Sequence, residues 1–134
     1  MVTYADAPLT VVNPVATMPL APTPSNAEIV TVSIELPPRD PGLPAHRHPG
    51  PVYGYMIEGE MVLEVEDEPA RVIRTGEAFW EPGGDVIHYS DANNRNDVTL
   101  RFVVTMICAP GQPMLVVVDE DELEQRRDRR VPRQ

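Results

Sequence analysis

Histidine occurs only three times in this chain of 134 residues, and two of the three, His46 and His48, are separated by a single arginine. In an extended strand residues i and i+2 project to the same face, so both imidazoles would stand on one side and Arg47 on the other. Two rings on one face can chelate a metal ion. The competing reading of such a pair is two hydrogen-bonded or exposed rings without a ligand.

The elements that must carry this pair read as strands. Sixteen prolines and eight glycines cut the sequence into short runs that alternate apolar and polar residues or are rich in Val, Ile and Tyr. Short strands with frequent turns point to an all-β sandwich or barrel. Strands are expected over Glu28 to Leu36, Ala45 to His48, Val52 to Glu58, Glu60 to Glu66, Ala70 to Arg74, Ala78 to Glu81, Val86 to Tyr89, Val98 to Cys108 and Met114 to Val118. Turn residues such as Asp67-Glu68-Pro69 and Pro82-Gly83-Gly84 separate them. The proline-rich segment 1–27 reads as an extended arm with a short strand around Leu9 to Val12, of the kind that packs on a partner subunit. A single barrel over 28–118 follows. Asp119 to Arg130 has helix formers, acidic residues first and arginines last, with Glu122 and Arg126 as an i,i+4 pair. This segment reads as a solvated terminal helix.

Composition removes several classes of function. A formal charge of −10 would repel a polyanion, so neither nucleic acid nor an acidic membrane surface is an expected partner. All eleven basic residues are arginine, which excludes a lysine Schiff base, a lysine general base and a phosphate-loop lysine. Cys108 is the only cysteine and can form neither an intramolecular disulfide nor a thiolate zinc site, which fits a reducing, cytoplasmic location. In its apolar run it reads as a core filler. No stretch approaches the ~20 apolar residues of a membrane span. His88, Ser90 and Asp91 lie close in sequence, but neighbours in sequence do not make a catalytic triad, and Ser90 lacks a nucleophile elbow.

The segment from Gly42 through His46-Arg47-His48 and Val52 to Gly59 resembles the first signature of the cupin superfamily, in which a glycine precedes His-X-His and a second glycine closes the next hairpin. The segment from Gly76 through Pro82-Gly83-Gly84 to His88 is similar to the second signature, with Asn93 near its usual asparagine and a turn before His88 one residue longer than the family's. The resemblance implies an antiparallel cupin barrel, a double-stranded β-helix of jelly-roll type. It also implies metal ligands at His46, His48 and His88, and a homodimer, formed either by exchange of strands or the arm or by simple packing of one sheet face. In the family an acidic residue follows the second histidine by about four positions and completes the metal shell. Val52 stands there, so the expected site is three neutral imidazoles and an unusually open ion.

Three nitrogen donors leave positions free for water, dioxygen or a bidentate substrate. Imidazole suits transition metals, so the cofactor expected is one divalent ion, iron, zinc, nickel or manganese. Three-histidine iron sites in the family resemble those of dioxygenases, which makes a non-haem iron(II) dioxygenase acting on a small organic molecule the first reading. The alternatives are a cupin isomerase, cyclase or lyase using the ion as a Lewis acid, and a binding cupin without turnover. By strand alternation Val52, Gly54 and Met56 would line the substrate pocket. Tyr53, Tyr55, Phe79 and Trp80 read as core or interface aromatics. Glu81 is the carboxylate near the motif that could act as acid, base or hydrogen-bond partner of an imidazole, against the plainer expectation of an exposed strand-end glutamate.

Overall fold

A computed structural model describes residues 2–134; Met1, the first residue of the expected arm, lies outside them. The arm begins with a hairpin of β1 (Val2–Tyr4) and β2 (Ala7–Val12), then runs without regular structure to β3 (Glu28–Leu36). There follow β4 (His46–Arg47), β5 (Val52–Glu58), β6 (Glu60–Val65), β7 (Arg71–Arg74), β8 (Ala78–Glu81), β9 (His88–Asn93), β10 (Leu100–Cys108) and β11 (Val116–Val117). Two antiparallel sheets face each other, one ordered β3-β10-β5-β8 and the other β11-β4-β9-β6-β7. They share no strand, so the expected barrel is an open two-sheet sandwich. Between them lies a core in which Met56, Met61, Leu63, Leu100, Phe102 and Met106 are fully buried. No described helix is long and apolar enough to cross a membrane.

Three strands, β3, β5 and β8, keep the bounds read from sequence. The largest difference is in β9, expected from Val86 to Tyr89 and found from His88 to Asn93. Pairing requires a partner, and β9 first meets one where His88 lies opposite His46 and Val65. The register then slips by one residue between Glu64 and Val65, a bulge that turns Asp91, opposite the core residue Leu63, inward while Ser90, opposite Glu64, is buried on the outer side. Beyond it, Asn93 staples a loop: its amide nitrogen donates to the carbonyls of Leu36, Pro37 and Val98, and its oxygen accepts from the Arg95 N–H.

The C-terminal segment departs from expectation in two ways. The helix α1 (Glu120–Gln125), capped by the Asp119 carboxylate on the Glu122 N–H, stops early and gives way to a 3-10 turn over Arg127–Arg129. Most of its arginines dock onto the sandwich, while Arg127 stays exposed beside Glu124. Glu64 and Glu66, on the outer side of β6, are only 1% and 4% exposed, and two buried carboxylates require cations. Arg130 and Arg133 hold Glu64, at 2.8 Å each, while Arg126 holds Glu66 with both arms of its guanidinium. Arg126 also contacts Asp85, and Arg130 lies 4.6 Å above the Tyr89 ring. The Glu122–Arg126 pair is present at 3.2 Å.

The hydrogen bond from Arg130, joined by Arg133, holds the Glu64 carboxyl below its ordinary value of 4.5. A depressed carboxylate contributes stability that is complete above the unfolded pKa and lost as pH falls through the folded one. Urea midpoints of the wild type should therefore fall as pH drops below about 4.5. Glu64→Gln should flatten that dependence while lowering the midpoint at pH 7. An unchanged acid limb in the variant would contradict the assignment.

Candidate metal centre

Strand β4 is short because Pro44 and Pro49 bracket it, yet its two residues and the next place the histidine pair. His46 lies directly across from His88 on β9, and His48 follows on the same face. All three rings are buried, with centroids 4.6 to 5.8 Å apart. They form a group able to hold a metal ion.

The outer nitrogens decide which inner ones are free. His46 Nδ1 lies 2.7 Å from the Pro44 carbonyl, His48 Nδ1 2.6 Å from that of Met114, and His88 Nε2 2.8 Å from that of Ser90. A carbonyl only accepts, so each of these nitrogens carries the proton and donates. In the neutral rings His46 Nε2, His48 Nε2 and His88 Nδ1 are then bare lone pairs turned to one point. Two of them, on His46 and His48, stand 3.1 Å apart, and the buried His88 Nδ1 has no hydrogen-bond partner. Converging acceptors without a donor are costly in a buried site unless a cation lies between them. The donor set fits a divalent transition ion.

Glu81 belongs to the same place. It is 3% exposed, not the solvated strand-end residue that composition favours, and its two oxygens lie 3.4 Å from His48 Nε2 and 3.0 Å from His88 Nδ1. The expected site of three imidazoles without a nearby carboxylate is thereby corrected. Strand β8 pairs with β5 so that Glu81 lies directly across from Val52, and the acid missing at one position is present at its cross-strand neighbour.

Burial lowers the His46 pKa to about 4, with the neighbouring His88 adding to the effect, so this ring stays neutral far below pH 7. For His88 burial also works downward, but the Glu81 carboxylate outweighs it and the net direction is up. For Glu81 burial works upward, and the His88 ring outweighs it, so the net direction is down. The three imidazoles and Glu81 open onto a cavity of about 100 Å³ walled by apolar residues including Val32, Ile34, Phe79, Phe102 and Leu115.

A family profile described as Cupin domain matches residues 32–106, more than half of the sequence. The chain is a cupin. Among solved structures this cupin is similar to an oxalate oxidase in complex with the substrate analogue glycolate, at 21% identity and TM-score 0.55 over 72% of this chain and 57% of that one. It is similar to the DMSP lyase DddQ from Ruegeria pomeroyi DSS-3, at 21% identity and TM-score 0.54 over 70% of this chain and 44% of that one. It is also similar to the polyketide cyclase RemF from Streptomyces resistomycificus, at 27% identity and TM-score 0.51 over 72% of this chain and 66% of that one. The chain thus spans about half the length of the first two. No curated protein matches its sequence.

Of the pocket residues read from alternation, Val52 borders the cavity and Gly54 and Met56 do not. All three share a face, but the Phe79 ring fills the space above Gly54, where a Cβ would meet it at 2.1 Å, and Met56 is sealed in the core. Tyr53 and Trp80 stack outside the sandwich with centroids 6.4 Å apart, and Phe79 packs on Phe102 within it. Ser90 gives its carbonyl to His88 and accepts the Ala92 N–H on its hydroxyl, so it is no nucleophile for that ring.

Sequence reasoning missed Asp91 as a cavity residue. The bulge in β9 turns it inward, where Oδ1 accepts the Leu43 N–H at 3.1 Å. Gly42 is required beside it: its φ is +81°, and a Cβ would lie 2.0 Å from that oxygen. Burial raises the Asp91 pKa above its ordinary 3.8. A raised carboxyl contributes stability below the unfolded pKa and loses it as pH rises through the folded one, so the ionised form costs stability at neutral pH. Asp91→Asn keeps the acceptor for Leu43 and removes the charge. Its apo thermal midpoint should equal or exceed that of the wild type at pH 7, with the difference shrinking toward pH 4; a lower midpoint at pH 7 would contradict this reading.

Proposed function

We propose that this cupin is a mononuclear metal-dependent enzyme acting on a small organic molecule, and that non-haem iron(II) dioxygenase chemistry is its first reading. The observation that carries the metal-dependent reading is the convergence of three buried imidazole lone pairs, each fixed from behind by a backbone carbonyl. A bound iron(II) ion would supply redox chemistry toward dioxygen, and any divalent ion there would polarise a substrate oxygen as a Lewis acid. The chain itself supplies orientation and exclusion of water. Leu43, Met114 and Leu115 lie on the cavity wall with Val32 and Ile34, a lining that favours an apolar reactant such as dioxygen over bulk water. Sites for drug-sized ligands run to about 300–1,000 Å³. A cavity of about 100 Å³ restricts the substrate to a few heavy atoms beyond those that meet the ion.

Asp91 favours a second reading, an isomerase, cyclase or lyase without redox change. A carboxyl on the cavity wall with a raised pKa can hold and return a proton while the ion stabilises an enolate-like oxygen. The likeness to a polyketide cyclase supports that class as well. Oxygen uptake by anaerobically iron-loaded protein over a panel of small diketones, thiols and phenols separates the two. Uptake with product formation is expected for the first reading; no uptake, with turnover by the zinc or nickel form under nitrogen, would replace it by the second. Binding without product in any metal form would leave a ligand-binding cupin.

The reading includes a homodimer. The arm hairpin exposes Leu9 at 96%, and Ile29, Tyr55 and Ile57 are exposed on the β3-β10-β5-β8 sheet. An isolated two-stranded hairpin is marginal in water, so the arm needs a surface to lie on. Light scattering should give twice the chain mass, and deletion of residues 1–14 should shift it toward monomer. A monomeric wild type at micromolar concentration would remove the dimer from the reading.

A further inference from the structure

We infer that Glu81 is the fourth protein ligand of the metal, reaching it from the strand opposite the position where the family pattern carries its carboxylate. The inference rests on the metal-dependent reading above and deepens it.

Three observations lead there. The first is register. Val52 and Glu81 are directly paired residues of antiparallel strands, and such side chains leave the same face of a sheet with Cβ atoms about 4.5–5.5 Å apart. A carboxylate moved from one to the other still reaches the same point, and the longer glutamate bridges the gap that valine leaves.

The second is spacing. Zinc bonds to imidazole nitrogen and carboxylate oxygen run about 2.0–2.2 Å, so two donors on one ion stand roughly 2.9 Å apart at right angles and roughly 3.4 Å apart at a tetrahedral angle. The donor pairs here are 3.1 Å for His46 and His48, 3.0 Å for His88 and Glu81, and 3.4 Å for His48 and Glu81. Each Glu81 oxygen is thus spaced from one imidazole nitrogen, Oε2 from that of His88 and Oε1 from that of His48, much as the His46 and His48 nitrogens are from each other.

The third is the absence of any other partner. Among the described residues no backbone N–H and no arginine bonds Glu81, although the carboxylates of Glu64 and Glu66 are each held by arginine. His88 Nδ1 does not take that place: although 3.0 Å away it is not aligned for a hydrogen bond to the carboxylate, and its ring donates through the other nitrogen to the Ser90 carbonyl. A buried carboxylate and a buried lone pair that face each other as acceptors are reconciled by a shared cation. The metal shell of this cupin is then three imidazoles and one carboxylate, as in the family pattern, with the acid carried by a different strand.

The test compares wild type, Glu81→Gln, Glu81→Val and the transposed pair Val52→Glu/Glu81→Val, each freed of metal and titrated with zinc against a competing chelator. A crystal structure of the zinc-loaded wild type accompanies the titrations. The expected structure has a Glu81 oxygen about 2.0–2.2 Å from the ion. Affinity is expected to fall at least about tenfold in Glu81→Gln, further in Glu81→Val, and to recover in the transposed pair, which keeps the combined side-chain volume. A Glu81 oxygen beyond 3 Å from the zinc overturns the inference even if the affinity falls, because that result describes a positioning residue. Unchanged affinity in Glu81→Gln overturns it as well. A failure of the metal reading looks different: the wild type then binds no zinc, and His46→Ala behaves as the wild type does. Should Glu81→Gln not fold, the distance in the loaded wild type decides alone.

Discussion

Changing His46 to alanine is expected to weaken divalent-metal affinity by two to three powers of ten and to abolish the stabilisation that the metal brings. A four-ligand zinc site is worth about 10–16 kcal/mol, so one ligand carries about 2.5–4 kcal/mol, and each 1.4 kcal/mol is a factor of ten. The effect should sit at the upper end here. His46 is pinned by Pro44 on one side and faces His48 and His88 on the other, so its ring is held in place before the ion binds. The apo variant should fold, because the lost ring is neutral at pH 7 and its removal relieves the 3.1 Å contact between two lone pairs. For the wild type, zinc at a thousandfold excess over its dissociation constant should add about 4 kcal/mol, seen as a rise of roughly 10–20 °C in thermal midpoint that a chelator reverses. Differential scanning fluorimetry with zinc, nickel, manganese and anaerobic iron reads both effects. A wild type indifferent to all four metals, or an alanine variant that keeps the shift, would end the metal reading.

Arg126→Ala is the substitution away from the site with the largest expected cost, about 2–3 kcal/mol. Removing one partner of a buried ion pair typically costs about 3–5 kcal/mol, because the other charge is left in a place that water does not reach. Glu66 is nearly inaccessible and Arg126 is itself mostly covered. The lower figure applies because Arg129 lies 3.3 Å from the same carboxylate and can take part of the load. Replacing Glu66 and Arg126 together by Gln and Met should cost less than Arg126→Ala alone. Urea unfolding of the two variants checks this; equal losses would mean that the pair, and not the stranded carboxylate, sets the cost. Metal affinity should be unchanged in both, since the clamp lies on the outer side of β6.

Much of this molecule is legible without coordinates. Alternation over Glu28 to Leu36 and Val52 to Glu58 reports half-buried strands, because side chains of a strand must divide between core and solvent. His46 and His48 share a face for the same reason, and the glycine and proline turns set the lengths of the strands between. These are local rules, with a period of two residues or a turn of four, and the sequence states them directly. His88 became a partner of the pair through family resemblance, and the structure then set it directly across from His46.

What the tertiary structure decided depends on register. No local rule reveals that β8 lies against β5 with Glu81 opposite Val52, so the site was read as lacking a carboxylate that stands one strand away. Alternation also points Asp91 outward; a single-residue bulge opposite Glu64 and Val65 reverses it and puts a second acid on the cavity wall. Gly54 and Met56 lie on the predicted face, yet a phenyl ring from the neighbouring strand covers one and the core closes over the other. The arginines of the C-terminal segment read as solvated because the two carboxylates that bind them lie 60 and 66 residues earlier. A one-residue slip exchanges the inside and outside of a strand, and pairing partners distant in sequence fix that slip. Which residues can make strands is therefore written locally, and which donors face the metal is settled only when the strands have paired.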